Sequence, residues 1–390
     1  MSLLDRIRGS DRDRFARRVL DRVRAHGVAK AWYDAEQFTV EFQRGPDDPG
    51  GSVFLGNIFR ECQGADRAER DERIGRLVEA VMNTPPVPQD WVGVKPLLRT
   101  VLRVATYGLG APDSARPLLW RPALPYLIEL VGIDMPTALA YVTLDKLDEW
   151  GVTAFDVYDA ARANLAELDR DREMQTPDQP ALIRFVDDGN GYFISRLMLP
   201  GWLASLAPHV GGTPVAFIPD NHTVLVGSDD PGLLEQLFPL AEEEYRQASR
   251  PLSPVGYTVD LSSGAVVPYT AGPSARRACA LLASGEYQSE SEFLMRDEDV
   301  YVANLLVAES PHSGVFTVAS WARDVDTLLP RADYVAFSSE QDSPWFVPFD
   351  VAMAEAGLQP ESPLRLERFR ARQWPAPEVM QRLRALAESP

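Results

Sequence analysis

At 390 residues, 45% hydrophobic and 25% charged, the chain has the composition of a soluble globular protein and the length of two or three domains. Its net charge of −18 works against nucleic acid and anionic membrane as partners, since both are bound by a basic field. No run nears the ~20 apolar residues of a membrane helix, and the opening MSLLDRIRGSDRDRF is charged where a secretory leader is apolar.

Cys62 and Cys279 are too few for a disulfide framework, and a cytosolic protein without integral membrane segments is expected. The acidity is uneven. Residues 1–30 hold nine Arg or Lys against four Asp, net +5, which leaves −23 for the rest.

Ser10 with Asp13 reads as a capping box, and Phe15, Val19 and Val23 repeat at helical spacing, predicting an amphipathic helix over 11–25. Its other face carries Arg14, Arg17, Arg18, Arg22 and Arg24, a candidate surface for an acidic partner. The pattern AWYDAEQFTVEF over 31–42 predicts a hairpin, followed by a strand at 52–55 and a helix over 58–82 that TPPVP ends. Strands are expected at 97–104, 126–132 and 138–144, then a helix at 154–168 that closes an N-terminal unit, 1–168.

DRDREMQTPDQP is polar and holds two prolines, so it reads as a linker into a central unit, 181–268. Here a strand at 182–186, a helix over 191–207, a hairpin at 215–218 and 223–226, a helix at 231–246 and a strand at 255–261 give the order β-α-β-β-α-β. That is the order of a ferredoxin-like unit, with Pro200 interrupting its first helix. A C-terminal α+β unit, 275–390, follows, with strands at 300–307, 315–320 and 334–337, a buried strand or turn at WFVPFD, and a helix over 377–386. The class expected for the whole chain is α+β.

Motifs of catalysis are missing. None of the three lysines follows a glycine, which rules out a phosphate loop, and G-x-S-x-G, H-E-x-x-H and G-x-G-x-x-G are absent. The best local candidate is Asp187, Asp188, Gly189, Asn190 and Gly191, between a strand and a helix. Two carboxylates and an amide at a helix start suit a hard cation or a polar ligand, whereas an Asn-Gly turn is the plainer alternative.

The strands PYLIELVGID and LAYVTLDKLDEWG, the helix DVYDAARANL, then NGYFISRLM and the hairpin AFIPDNHTVLVG together resemble the YtpQ-like family of bacterial proteins. The family shares a domain of unknown function, and the resemblance covers about two thirds of the chain. It implies a mixed α/β fold but no reaction, cofactor or catalytic residue. It also marks Asn190, Gly191, Tyr192, Ser195 and Arg196 as a possible shared site. The function expected is a non-catalytic adaptor or regulatory module that binds another protein. Neither a cofactor nor a metal is expected, peripheral membrane contact is disfavoured, and the alternative is a metal- or ligand-dependent hydrolase built on Asp187 and Asp188.

Overall fold

The computed structural model describes residues 10–45, 50–83, 87–110, 116–135, 138–170, 182–187, 192–295, 300–311, 313–323, 325–339 and 342–390. The chain is α+β, and it divides into two compact units. The first comprises Met1–Arg99, Ala111–Leu119 and Val131–Asn164; the second comprises Thr100–Gly110, Trp120–Leu130 and Leu165–Pro390. The second therefore holds both the 181–268 and the 275–390 segments, with two short pieces from within 1–168.

In the first unit, helix α1 (Asp11–Ala25) starts as the sequence predicts. The Ser10 hydroxyl accepts the Asp13 N–H at 3.1 Å, and the Asp13 carboxylate accepts the Ser10 N–H at 2.9 Å. Phe15, Ala16, Val19, Leu20 and Val23 are buried against an antiparallel sheet of β1 (Lys30–Asp34), β2 (Thr39–Gln43) and β3 (Gly51–Phe54). The single helix expected over 58–82 is instead two, α2 (Gly56–Glu61) and α3 (Arg67–Asn83). Gly64, at φ +79°, turns the chain left-handed between them, and the Asp66 carboxylate caps the new start by accepting the Glu69 N–H.

A second core in this unit gathers Val94, Val131, Ile133, Val142, Trp150, Val157 and Ala161. These come from α4 (Trp91–Val94), the end of the strand over Leu127–Met135, the residue after the strand Ala138–Tyr141, and helices α5 (Asp145–Trp150) and α6 (Ala154–Arg170); β4 (Leu98–Val104) adds Leu98. Strand β5 (Trp120–Leu124) went unpredicted because Pro122 sits inside it. It pairs antiparallel with β6 (Leu127–Met135), Trp120 opposite Leu130, and β7 (Ala138–Tyr141) pairs with the far end of β6, Gly132 opposite Tyr141.

The second unit is built on an antiparallel five-stranded sheet, β12-β11-β9-β10-β8. Its strands are β8 (Ile183–Val186), β9 (Pro214–Asp220), β10 (Thr223–Ser228), β11 (Pro251–Val259) and β12 (Val266–Pro268). The chain order β-α-β-β-α-β is present, but the sheet order is not that of a ferredoxin-like unit, which sets its last strand beside its first. Here β11 lies beside β9, and β8 occupies the opposite edge. The helix expected over 191–207 is a 3-10 turn, Ile194–Met198, and two single turns, α7 (Trp202–Ser205) and α8 (Ala207–Val210). Pro200 followed by Gly201 at φ +78° breaks it, and Pro208 lies inside the last turn. Helix α9 (Pro231–Gln247) starts at Asp230, whose carboxylate accepts the Leu233 N–H at 2.9 Å.

Helix α10 (Pro273–Leu294), at 22 residues, crosses from β11 to a second sheet, touching β14 (Leu305–Ser310) and β15 (Gly314–Trp321). That sheet runs β14-β15-β17-β18, with β17 (Tyr334–Ser339) and β18 (Asp342–Pro348). WFVPFD forms the end of β18 and the start of α11 (Phe349–Ala356). A third sheet joins β13 (Tyr301–Val302), β16 (Thr327–Pro330) and β19 (Arg368–Ala371), and α12 (Pro377–Ala385) follows. Two edges stay apolar in solvent: Leu306 and Val307 of β14 are about half exposed, and Val186 of β8 is 63% exposed.

One buried ion pair ties α10 to the third sheet. Arg368 is fully buried, and its Nε donates to the Glu290 carboxylate at 2.6 Å. The other guanidinium nitrogens donate to the carbonyls of Ala303, Leu328 and Tyr287 and to the Ser291 hydroxyl, at 2.9–3.4 Å. The second Glu290 oxygen accepts the Leu366 N–H at 2.9 Å. A charge stripped of water in this way is tolerated only when its partners are complete, so removing one partner is severe. Arg368→Met is expected to destabilise the protein by roughly 3–5 kcal/mol in urea unfolding, and adding Glu290→Leu to it should recover much of the loss.

Candidate functional site

Of the turn singled out in the sequence, Asp187 and the residues from Tyr192 onward are described. The Asp187 carboxylate accepts the Phe193 N–H at 3.2 Å, and the Asp187 N–H donates to the His222 carbonyl at 2.7 Å. Phe185 and Phe193 stack at 4.9 Å, and Tyr192 takes a positive φ of 48° to make the bend. Ser195 and Arg196 are 4% and 3% exposed, with the Arg196 guanidinium 4.6 Å from the Phe193 ring. Asp188 and Asn190 lie outside the described residues. Among the described residues, no group of three His, Cys, Asp or Glu is placed to hold a metal ion.

The arginines of α1 do share one exposed surface. Arg14 pairs with Asp11, Arg18 lies 4.0 Å from Asp71 of α3, and Arg12 sits over the Phe38 ring at 4.1 Å. Arg17 and Arg22 form no hydrogen bond or ion pair among the described residues, and both are exposed. The charge is divided unequally between the units. The first contains 20 basic and 23 acidic residues, so its net charge is −3, and the second carries the remaining −15 of the chain's −18.

A buried polar face on α10 was not legible in the sequence. Glu286 is 5% exposed and accepts both the N–H and the hydroxyl of Thr106, at 3.0 and 2.9 Å. Burial pushes its carboxyl up to about 7; the Thr106 hydrogen bonds pull the other way, and the Glu290 charge adds to the rise. Tyr245 of α9 is pushed up to about 12, first by burial and then by the Glu286 charge. At the next residue of α10, the Tyr287 hydroxyl donates to the Glu367 carbonyl at 2.8 Å and accepts the Arg331 N–H at 3.1 Å. Tyr126, at φ +61°, meets the Tyr287 ring edge-on at 5.9 Å. Arg365 lies over the Trp120 ring at 4.0 Å and reaches the Ala105 carbonyl at 3.5 Å. Together these contacts fasten the short 100–110 and 120–130 segments to α10 and to the strand-connecting loop near 365.

A pocket of about 380 Å³ lies in the second unit. Trp321 at the end of β15, Leu358 after α11, Arg370 of β19, and the stretch Arg372, Gln373, Trp374 all line it. Trp321 is 2% exposed, and its indole N–H is buried without a hydrogen-bond partner. Arg370 makes a bidentate contact with Asp326 at 3.0–3.3 Å and lies 3.8 Å from Glu361. Arg372 is exposed and has no partner among the described residues. Sequence reading missed these groups because they come from four separate elements; the only local signal is an aromatic, Trp374, in the proline-rich stretch WPAP.

No family model, curated protein or solved structure matches this chain. No helix among the described residues is long and apolar enough to cross a membrane.

The buried Glu286 gives stability a pH dependence of definite sign. With its folded value raised, the neutral acid is favoured, so the contribution is complete below the ordinary Glu range, near 4.5, and is lost as pH rises to about 7. Glu286→Gln is therefore expected to stabilise the protein by roughly 2 kcal/mol at pH 8 and to leave it nearly unchanged at pH 4.5, read from urea midpoints at the two pH values. Equal effects at both values would show that the carboxyl titrates alike in the folded and unfolded chain.

Proposed function

We propose that this chain is a non-catalytic binding protein that engages an acidic protein partner through α1. The observation that supports the reading is the arginine face, Arg14, Arg17, Arg18, Arg22 and Arg24, exposed on a helix whose apolar face is fully used against its own sheet. A helix anchored in this way presents its charges at fixed positions, so a partner loses little of the helix's freedom on binding. Guanidinium groups pair with carboxylates in a two-pronged geometry that lysine cannot match, and every basic residue on this face is arginine, with Asp11 and Asp21 exposed among them. The acidic excess lies in the second unit, and the unit that carries α1 is close to neutral. Beyond about 8 Å, physiological salt screens the rest of the chain, so an acidic partner meets a locally basic surface.

The test uses a fluorescently labelled glutamate-rich peptide as the probe. Anisotropy should show saturable binding that weakens steadily with added NaCl, and the reversal of Arg14, Arg17, Arg18 and Arg22 to Glu should weaken it at least about tenfold. Replacing the same four with Gln keeps the helix and removes only charge, so it separates lost recognition from lost folding. Affinity that survives both variants sinks the proposal. Co-flotation with phosphatidylserine vesicles, lost in the Gln variant while the peptide stays unbound, would assign the face to a membrane surface instead.

A further inference from the structure

The pocket beside Trp321 has the composition of a small-molecule site, and we propose that it binds a flat organic monocarboxylate. This goes beyond the partner surface on α1 and does not depend on it. The cavity volume, about 380 Å³, lies within the range of small-ligand pockets and is too small for a folded partner. Its walls divide by chemistry. Trp374, Leu358, Pro375 and Val379 supply apolar surface for a planar body, and Trp374 is only partly buried, leaving ring surface to stack on.

Two features of the wall set the charge and its position. Arg370 is already matched by Asp326 and Glu361, so it shapes the wall without demanding a ligand. Arg372, two residues along the same strand end, has no partner among the described residues, which leaves one guanidinium and calls for one negative charge. The second feature is the apolar Trp321 ring beside it, whose N–H is sealed from the cavity and meets no ligand there. A carboxylate offers oxygens to the Arg372 guanidinium, whereas a neutral ring does not. A polyphosphate carries more charge than one arginine can balance, and the −15 of the surrounding unit makes that excess more unfavourable.

The aromatic surroundings provide the readout. Trp321 packs edge-on with Trp374 at 6.4 Å and lies 5.6 Å from Phe337, so an arriving ring changes the emission of a coupled tryptophan pair. The experiment titrates full-length protein with 1-naphthoate, benzoate and indole-3-acetate, following tryptophan fluorescence and calorimetry. The neutral amide of each acid serves as its control. One-to-one saturable binding of at least one acid is expected, with the amide at least about tenfold weaker. Arg372→Ala should lose about tenfold for the acid and nothing for the amide. Trp374→Ala removes the stacking surface and should lose several-fold for acid and amide alike.

Arg67→Ala on α3 should change nothing. If no acid saturates below about 5 mM, or if Arg372→Ala binds like the wild type, the proposal is overturned. Equal affinity for acid and amide also overturns it, because the cavity would then be only an apolar cleft. Circular dichroism and urea midpoints of both pocket variants exclude misfolding as the cause of a loss.

Discussion

The pairing of Arg368 with Glu290 is the contact on which the second unit depends, because it is made where water cannot correct any defect. Five guanidinium contacts, from one side chain on β19, converge on α10, on the loop after β13 and on β16. Such an arrangement contributes little net stability beyond what a well-packed apolar substitute would give. What it does contribute is register. A helix packed only by alanines and leucines could slide or rotate by a fraction of a turn at small cost, whereas Glu290 has one acceptable position opposite Arg368. The same fixing carries Glu286, one turn earlier, to Thr106, and Tyr287 to the carbonyl of Glu367.

That polar solution explains why α10 was the main element that sequence periodicity failed to reveal. Its buried face reads Ala275, Ala278, Leu282, Glu286, Tyr287, Glu290, Ser291, so small and charged residues stand where an apolar stripe is the usual sign of burial. Elements with ordinary patterns were readable. α1 showed its cap and its stripe, the hairpin of β1 and β2 showed alternation, and β9, β10 and α9 fell within a residue or two of their expected limits. Where prolines and glycines intervened, the reading failed in both directions. Pro122 hid a strand, while Gly64 and the Pro200–Gly201 pair broke helices that the apolar spacing had joined.

The candidate sites divide along the same physical line. Residues contiguous in sequence, such as the arginines of α1, could be grouped because a helix repeats them on one face. The carboxylate of Asp187 was visible as a turn residue, but its engagement with the Phe193 N–H depends on a local fold that composition does not specify. The pocket of Trp321, Arg370, Arg372 and Trp374 brings together the ends of β15 and β19 with the segments after them; the two strands belong to different sheets, and only tertiary packing makes them neighbours.

The edges of the sheets give the acidic charge a further meaning. Among the described residues β14 and β8 each end a sheet and carry exposed apolar side chains, the arrangement through which separate molecules join strand to strand. Both edges belong to the unit that carries −15, so two molecules approaching edge to edge meet mutual repulsion before any ladder can form. The acidity thus acts as a colloidal guard over surfaces that the fold leaves open, and a guard of this kind fades in concentrated salt.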